Sequence, residues 1–525
     1  MTTRWLPPGL VVAVTLAAFL PTLGNGFASW DDAINFLDNP YYRGLGPAQL
    51  RWMFTTFHAG HYIPLTWLSL GLDYLLWGLQ PAGYHLTSLL LHAATALAFY
   101  FVSLRLLRLA LPPATSPAAL RWGAAVAALV FAVHPLRVES VAAATERRDV
   151  LSGLFYVLAV LCYLKAVADP ARPRPRMSWS ARLRLRLPPL WYGLTLACFA
   201  AALLSKSIAV TLPVTLLVLD VYPLRRLGGS TGWRTPRPWL EKLPFFAFAA
   251  VAAAVAFWAL FPLGNTRSLE GMPLPLRFLV SIYGLVFYLQ KTLIPLDLSP
   301  LYPLNFQVTW IQFSVVIGGA CLAWACRHRW PAFTAAAIVY AVTVGPVIGI
   351  FQNGPQAVAD RYSYLPCLGW AVLFGAGVAR WWPQRRILAP VAAVWLAALA
   401  FLTWQQTALW RDSITLWSQA AVVTPGMRAA HFKIAQAHAQ DGRTAEAIGA
   451  YREAMRLSGP SAPWGHLAIA KLLEQSGIDA GARAEFAAAL REDPTSREAC
   501  EGIERLGKRN AGFAPAPPPC PQRSS

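Results

Sequence analysis

The chain has 525 residues, of which 56% are hydrophobic and only 13% are charged. Soluble proteins average about 25% charged residues, so this composition excludes an ordinary soluble globular protein and favours a membrane protein. The net charge of +20 does not imply a nucleic-acid partner. The basic residues cluster in short loops between apolar runs, as the positive-inside rule expects of cytoplasmic loops.

Apolar runs long enough to span a bilayer recur along the first three quarters of the sequence. The first run resembles a signal peptide, but no small-residue cleavage site follows it, so we expect an uncleaved membrane helix. The sequence predicts an all-α fold, a polytopic bundle of about 11 to 12 membrane helices. The candidate spans are 6–23, 84–107, 121–136, 149–168, 190–204, 206–223, 243–262, 276–294, 310–326, 331–351, 363–380 and 387–404. The proline-bounded 276–294 segment is the one expected not to cross fully. Eleven crossings would place the C-terminal part outside, and twelve would place it in the cytoplasm.

The composition changes after residue 404, where charge rises and long apolar runs stop. The segments 428–459 and 463–494 share a pattern of small and aromatic residues. This pattern is typical of tetratricopeptide repeats. We therefore predict a transmembrane domain over 1–404, with a first outer loop at 24–83, a short tetratricopeptide-repeat domain over 405–508, and a disordered Pro-rich tail over 509–525.

Polar residues gather in four clusters that the predicted topology places on the outer side. Ionisable residues in or next to a membrane are functional candidates by default, because it is energetically costly to place a charge there. The first cluster holds Trp30, Asp31 and Asp32, with His61 and Tyr62 in the same loop; the second holds His134, Arg137, Glu139 and Arg147; the third is Lys206; and the fourth holds Asp360, Arg361 and Tyr362.

These residue types suit glycosyl transfer from a lipid phosphate. An acceptor hydroxyl needs a carboxylate base, for which Asp31 and Asp32 are equal candidates. The departing phosphate needs cationic stabilisation. The candidates for that role are Lys206, Arg361, Arg137 and Arg147. Helix capping and local ion pairing are the structural alternatives for these residues. No cluster has clear metal-ligand spacing. A Mg²⁺ or Mn²⁺ ion bridging an Asp and the phosphate stays open, and no other cofactor is predicted.

The order of several short motifs resembles the transmembrane and tetratricopeptide-repeat O-mannosyltransferase family, which belongs to the type-C glycosyltransferases (GT-C). The motifs are W-D-D at 30–32, Y-x-P-L at 62–65, Y-H-L at 84–86, H-P-L-R-V-E-S-V at 134–141, S-K at 205–206, R-Y-x-Y-L-P at 361–366 and the terminal repeats. The resemblance implies an inverting transfer of a sugar, mannose in that family, from a polyprenyl-phosphate carrier to a Ser or Thr hydroxyl. Two positions depart from the family pattern: Ser207 stands where a Glu follows the Lys, and Ile63 where an Arg is usual.

The sequence therefore predicts a membrane glycosyltransferase acting on the non-cytoplasmic face. Its expected partners are a polyprenyl-phosphate-linked sugar, an acceptor protein or glycan that contacts the repeat domain, and the lipid bilayer, with no nucleic acid. The composition favours a bacterial inner membrane, with outer loops and repeats in the periplasm, over the endoplasmic reticulum of a eukaryote. Two alternatives remain: a non-catalytic scaffold that recruits partners through its repeats, and a lipid-linked glycan ligase or polymerase.

Overall fold

The computed structural model describes residues 4–28, 31–167, 189–229, 232–260, 272–304, 307–349 and 356–510. These residues form an almost wholly helical protein with two compact units, which meet in sequence between Arg411 and Asp412. The first unit contains α1 (Leu6–Ala18), α2 (Pro47–Thr55), α3 (Pro64–Trp77), α4 (Pro81–Ala110), α5 (Pro117–Ala132), α6 (Val138–Ala142), α7 (Arg147–Val167), α8 (Pro189–Ser205), α9 (Leu212–Val221), α10 (Pro236–Leu240), α11 (Leu243–Leu260), α12 (Leu274–Leu293), α13 (Trp310–Cys326), α14 (Pro331–Val344), α15 (Leu368–Arg380) and α16 (Arg385–Ala408).

Each of the twelve predicted spans overlaps a helix of this unit. By length and composition, five helical stretches could cross a membrane, and a sixth could if a pair bent by 58° counts as one span. They are Leu6–Gly24, Pro81–Ala110, Ala144–Val167, Pro236–Leu260 and Trp382–Ala408, with the bent pair Pro117–Ala132 and Pro135–Ala142. The helix α12, predicted not to cross fully, is not among them. The all-α polytopic fold is confirmed, and the count of eleven or twelve crossings stays a prediction.

Small residues allow close helix packing in this unit. A Cβ atom added to Gly123 of α5 would lie 2.6 Å from the carbonyl oxygen of Gly375 in α15. Small residues let helix backbones approach in membranes, where van der Waals packing replaces the hydrophobic effect as the driving force. Four alanines of α5 are also buried, namely Ala124, Ala125, Ala127 and Ala128. The backbones of α5 and α15 therefore pack closely against each other.

A two-stranded antiparallel sheet precedes one of the candidate site segments. It pairs β1 (Tyr302–Pro303) with β2 (Gln356–Val358), and Tyr302 lies opposite Val358. The chain then enters a short 3-10 helix at Asp360–Ser363. The Tyr302 hydroxyl donates a hydrogen bond to the Asp360 carboxylate at 2.9 Å. This arrangement fixes the start of the R-Y-x-Y-L-P segment.

A group of buried charges lies near the C-terminal ends of α7 and α9 and just before the start of α11. Lys242 Nζ lies 2.6 Å from Asp220 Oδ2, and Arg226 Nη1 lies 2.8 Å from Asp220 Oδ1. The Tyr163 hydroxyl donates to the same carboxylate at 2.7 Å, and Arg226 also pairs with Glu241. Buried charges are tolerated when each is paired and hydrogen-bonded. This network therefore fastens three helices together.

The second unit is a short helical repeat array. It contains α17 (Ser413–Val423), α18 (Arg428–Gln440), α19 (Thr444–Arg456), α20 (Pro463–Gln475), α21 (Asp479–Glu492) and α22 (Arg497–Arg509). Gly442 and Gly477 occupy equivalent turns with φ of +73° and +74°, a conformation that L side chains rarely adopt. The aromatic side chains of Tyr451 and Phe486 fill the core against small residues from neighbouring helices. The paired helices agree with the predicted repeat pattern, and the repeat domain with its bounds stays a prediction. The structure divides the chain at Arg411, seven residues after the predicted boundary, and residues 511–525 of the predicted tail lie outside the described residues.

Candidate active site

The two adjacent aspartates of the first outer loop differ in environment. Asp32 is buried, and its Oδ1 accepts hydrogen bonds from the backbone N–H of Thr145 at 3.0 Å and from the Thr145 hydroxyl at 2.6 Å. Thr145 lies just before α7, so Asp32 attaches the loop to the start of that helix. These contacts favour a structural role for Asp32. Trp30, predicted to belong to the same site, lies outside the described residues.

Asp31 is half-buried and presents its carboxylate differently. Its backbone carbonyl accepts hydrogen bonds from Asn35, which turn the chain locally. In the described part of the chain, no donor hydrogen-bonds the Asp31 carboxylate. Its charge nevertheless acts on the guanidinium groups of Arg148 and Arg361. Asp31 is therefore a carboxylate within electrostatic range of two cations, and no described residue donates to its oxygens.

Glu146 is the centre of a buried charged cluster, which we define as Glu139, Glu146, Arg148, Asp149, Lys206 and Arg361. Arg148 donates two hydrogen bonds to Glu146, at 3.0 and 2.7 Å. Lys206 Nζ lies 3.3 Å from Glu146 Oε2 and 2.6 Å from Asp149 Oδ1. Arg361 Nε lies 3.3 Å from Glu146 Oε1. One carboxylate thus brings together three cations from distant parts of the sequence.

Local backbone structure presents these side chains. Lys206 follows the last residue of α8 and precedes a 3-10 helix at Ser207–Thr211, and its extended backbone interrupts the helical path. Arg148 and Asp149 occupy the first turn of α7. An acidic side chain is favourable there, because the N-terminal end of a helix carries partial positive charge. The ring of Tyr362 then lies 5.9 Å from Lys206 and 5.1 Å from Arg361, so both cations also face one aromatic ring.

Glu139 holds Arg361 in place. Its carboxylate accepts from the Arg361 backbone N–H at 2.8 Å and forms an ion pair with the guanidinium. Burial alone would lower the pKa of Arg361, but the Glu139 and Glu146 carboxylates hold it well above its usual value. Asp360 points instead to Tyr302. Burial, reinforced by the charge of Glu139, raises the pKa of Asp360 well above its usual range. Arg361 is therefore a fixed cation, and Asp360 supports the segment that carries it.

Two arginines predicted to bind phosphate make structural contacts. Arg147 is fully buried and pairs with Asp73 at 2.6 Å. Its other N–H groups donate to Ser88, Ser69 and the carbonyl of Tyr84. These contacts connect α7 to α3 and α4, and they favour a structural role for Arg147.

Arg137 contacts the segment that carries Arg361. It donates to the Ser363 hydroxyl at 2.7 Å and lies 5.7 Å from the rings of Phe131 and Tyr364. Its side chain is only 1% exposed. His134 is likewise buried, and its Nε2 lies 3.0 Å from the carbonyl of Thr292. Arg137 therefore contacts the 3-10 helix at Asp360–Ser363, whereas His134 contacts α12.

His61 and Tyr62 lie in a later part of the first outer loop, just before α3. His61 lines a small pocket together with His58, Thr145 and Arg148. Burial, and then the positive charges of Arg148 and Lys206, lower the pKa of His61 to about 3. His61 is therefore a neutral side chain beside the cations. The Tyr62 hydroxyl donates to the carbonyl of Phe54 at 3.1 Å, which favours a loop-stabilising role.

The chemistry of the donor set does not fit a resident metal. Among the described residues, no three His, Cys, Asp or Glu side chains are placed to hold an ion together. The carboxylates of the charged cluster each lie against Arg or Lys instead. A metal dependence therefore stays a prediction without a ligand set.

Three members of the charged cluster, Glu146, Arg148 and Asp149, were not predicted as site residues. A signal was present, since the run E-R-R-D at 146–149 directly precedes a long apolar segment. Asp73, the partner of Arg147, and Thr145, the partner of Asp32, were not identified. These pairings join distant segments, and no local pattern marks them.

The fold and the charged cluster define a polytopic helical membrane protein with an ionic site at one end of its helices. Comparison with known proteins finds similarity to protein O-mannosyl-transferases, so the resemblance read from the motifs is confirmed. Tmtc3 of Drosophila melanogaster is 34% identical over 175 residues, which are 32% of this chain and 18% of the relative. Human TMTC1 is 24% identical over 480 residues, 81% of this chain and 52% of the relative.

Tmtc1 of Drosophila melanogaster is 24% identical and covers 79% of this chain. The chain spans about half the length of the two TMTC1 relatives, at 52% and 57%, and 18% of Tmtc3. No family model matches the sequence. A solved structure of ArnT from Cupriavidus metallidurans bound to undecaprenyl phosphate aligns over 98% of this chain and 78% of that chain, with 17% identity and a TM-score of 0.31.

Proposed function

We propose that this protein is a type-C membrane glycosyltransferase that moves a sugar from a polyprenyl-phosphate donor to a hydroxyl acceptor. The observation that carries the proposal is the half-buried Asp31 carboxylate, which accepts no hydrogen bond from the described residues and lies beside the charged cluster. A base needs a free oxygen within reach of the hydroxyl that it deprotonates. Asp31 meets this requirement, and Asp32, occupied by Thr145, does not.

The reaction is a single displacement at C1 of the sugar. Asp31 accepts the proton of the acceptor hydroxyl while the acceptor oxygen attacks C1. The bond between C1 and the phosphate oxygen breaks, and its electron pair leaves with the lipid phosphate. Because attack and departure occur on opposite faces of C1, the transfer inverts the configuration of the sugar. This chain then has to supply two things: a carboxylate on one side and a cation on the other.

Lys206 is the cation best placed to contact the leaving phosphate. Its side chain is 14% exposed, compared with 9% for Arg148 and 5% for Arg361. An ammonium group has three N–H donors, and two of those on Lys206 face Glu146 and Asp149. No described residue accepts a hydrogen bond from the third, which we propose contacts the ligand. Fixed donors aimed at developing charge contribute about 10²- to 10³-fold to rate in enzymes of other classes.

Mannose as the sugar and a protein hydroxyl as the acceptor are the specific form of the proposal. They rest on the names of the relatives, which are protein O-mannosyl-transferases. We place the reaction on the non-cytoplasmic face, in a bacterial inner membrane or in the endoplasmic reticulum of a eukaryote. The repeat unit is proposed to bind the acceptor, since stacked helix pairs present extended binding surfaces.

The decisive experiment compares Asp31→Asn with Asp32→Asn in purified, membrane-reconstituted protein. The donor is radiolabelled polyprenyl-phosphate-mannose, and the acceptor is a Ser/Thr-rich peptide or, failing that, water. Asp31→Asn should lower kcat by about 10²- to 10⁴-fold without changing the melting temperature, because only the base is lost. Asp32→Asn should instead destabilise the protein by about 1–3 kcal/mol.

Asp38→Asn is the matched control, because Asp38 is an exposed carboxylate in the same loop. It should behave as the unmodified protein. Full activity of Asp31→Asn would refute the assignment of the base. If no variant and no wild-type preparation binds the lipid-phosphate sugar, the non-catalytic scaffold becomes the better hypothesis.

A further inference from the structure

The chain directly after the two aspartates of the first outer loop forms a single π-helical turn, Ala33–Leu37. The Asp38 N–H donates to the Ala33 carbonyl at 2.9 Å, which spans five residues where an α-helix spans four. π-helical turns are rare and occur frequently at functional sites. This turn begins two residues after Asp31, the proposed base, so its position bears directly on where that carboxylate lies.

Asn35 connects the π-helical turn to the backbone of Asp31. The Asn35 side chain is buried, and its Nδ2 donates to the Asp31 carbonyl at 2.8 Å. The Asn35 backbone N–H donates to the same carbonyl at 3.2 Å. Asp32 is held at the same time by the backbone and the hydroxyl of Thr145. The backbone of Asp31 is therefore joined to the turn, and a shift of the turn would move the Asp31 carboxylate.

Arg43 holds the C-terminal end of the turn. Its Nη2 donates to the carbonyl of Phe36 at 3.0 Å and to the carbonyl of Leu37 at 2.8 Å. The last carbonyls of a helical segment have no backbone donor inside that segment, so a side chain or water must satisfy them. The guanidinium of Arg43 also lies 5.9 Å from the ring of Tyr74 in α3. Arg43 thus fixes the end of the turn against α3.

His58 holds a third carbonyl of the turn. Its Nε2 lies 3.2 Å from the carbonyl of Ile34, and a hydrogen bond to a carbonyl requires that this nitrogen carry a proton. Burial lowers the pKa of His58, so the ring is neutral at neutral pH. The ring centroid of His58 lies 5.8 Å from that of Trp52 in α2 and 5.6 Å from that of Trp67 in α3. Two side chains from later in the loop therefore hold three carbonyls of one turn.

We propose that Arg43 is a positioning residue for the transfer, and that it acts through the π-helical turn on Asp31. The inference rests on the proposed function and adds a residue to which no contact with the substrates is assigned. A base must lie within hydrogen-bond reach of the hydroxyl that it deprotonates, and a displacement of about 1 Å can lower a rate about 10²-fold. Without Arg43 the end of the turn loses its donor, whereas the contacts of Asn35 and Thr145 remain. Loss of Arg43 should therefore lower kcat and leave donor binding intact.

The test compares Arg43→Met with Arg43→Lys in the reconstituted full-length protein, with radiolabelled polyprenyl-phosphate-mannose as donor. Methionine keeps an unbranched side chain but has no N–H group, so kcat should fall about 10- to 100-fold with donor KM within about twofold. Lysine keeps N–H donors that can reach one carbonyl, so kcat should recover to within about fivefold of the unmodified protein. Arg51→Met is the matched control, because Arg51 is an exposed arginine of α2 in the same loop. It should leave kcat and KM unchanged.

A double variant separates positioning from a general loss of stability. In an Asp31→Asn protein, Arg43→Met should lower the residual rate by less than about twofold, because the base that Arg43 positions is absent. His58→Phe keeps the ring and removes the donor to Ile34, so it should lower kcat about three- to tenfold, and only while Asp31 is present. If Arg43→Met does not fold, His58→Phe carries the same comparison.

The outcomes distinguish the positioning role from the proposed function. Equal fold losses with and without the Asp31 carboxylate, or an unchanged kcat in Arg43→Met, would overturn the inference. Full activity of Asp31→Asn would refute the proposed base itself. A large loss in Asp31→Asn beside a fully active Arg43→Met would keep the base and refute the positioning role alone.

Discussion

The ion pair between Lys206 and Asp149 allows structural and catalytic roles of the lysine to be separated. Lys206→Met removes the ammonium group that lies 3.3 Å from Glu146 and 2.6 Å from Asp149. Removing one partner of a buried pair costs about 3–5 kcal/mol, and the lower end applies because Lys206 keeps some exposure. Lys206→Met should therefore be both unstable and inactive, which by itself does not distinguish the two roles.

The double variant Lys206→Met/Asp149→Asn removes both charges of the shorter pair. Replacing a buried ion pair as a whole is often nearly neutral, so we expect stability within about 1 kcal/mol of the unmodified protein. If Lys206 contacts the leaving phosphate, kcat should stay about 10²- to 10³-fold low in this stable protein. Stability is measured as thermal unfolding in detergent, and kcat as transfer from the polyprenyl-phosphate donor.

The chain offers a matched control at the other end of the bundle. Lys242 pairs with Asp220 at the same distance of 2.6 Å and is fully buried. Lys242→Met should destabilise the protein, and Lys242→Met/Asp220→Asn should recover part of that loss with an unchanged kcat. Recovery of kcat to within about tenfold in Lys206→Met/Asp149→Asn would refute the phosphate contact and leave Lys206 as a structural residue.

Two further predictions concern residues near the charged cluster. The pKa of His61, lowered by burial and nearby cations to about 3, lies below its unfolded value of 6.5. The stability that the neutral ring contributes is thus complete above pH 6.5 and is lost as the pH falls towards 3. The melting temperature of His61→Gln should therefore fall less over that pH range than the melting temperature of the unmodified protein. An equal fall in both proteins would contradict this prediction. Arg147→Met should lower the free energy of unfolding by about 3–5 kcal/mol and leave the donor KM unchanged, because the Arg147–Asp73 pair is structural. A raised donor KM with an unchanged melting temperature would instead support phosphate binding by Arg147.

The positions of the helices could be predicted because long apolar runs are local signals. Every predicted span overlaps a helix, and the two repeats were identified from the spacing of Gly442 and Gly477. The lengths of the helices were less predictable. Where a charged residue such as Lys206 separates two apolar runs, the backbone leaves the helix to place that side chain, and the flanking helices become shorter than a full span.

The site could be predicted only in part, because its pairings are long-range. The sequence could not separate Asp31 from Asp32, since the difference comes from Thr145, which is 113 positions from Asp32. The partnership of Arg361 with Glu139 joins residues 222 positions apart. The sequence identified the charges that gather on one side of the bundle. Three-dimensional packing then determines which of them are paired and which stay available.

Ser207 illustrates how the pairing changes the meaning of a sequence difference. The resemblance to the O-mannosyltransferase family suggests a missing carboxylate at this position, because that family has Glu after the Lys of this turn. In the structure, Lys206 already lies within ion-pairing distance of Glu146 and Asp149. A third carboxylate at the adjacent position would add negative charge beside the cation proposed to attract a phosphate, and like charges in a low-dielectric site disfavour each other strongly. The serine is therefore compatible with a phosphate-contacting Lys206, because the balancing carboxylates come from Glu146, which directly precedes α7, and from Asp149 in the first turn of α7.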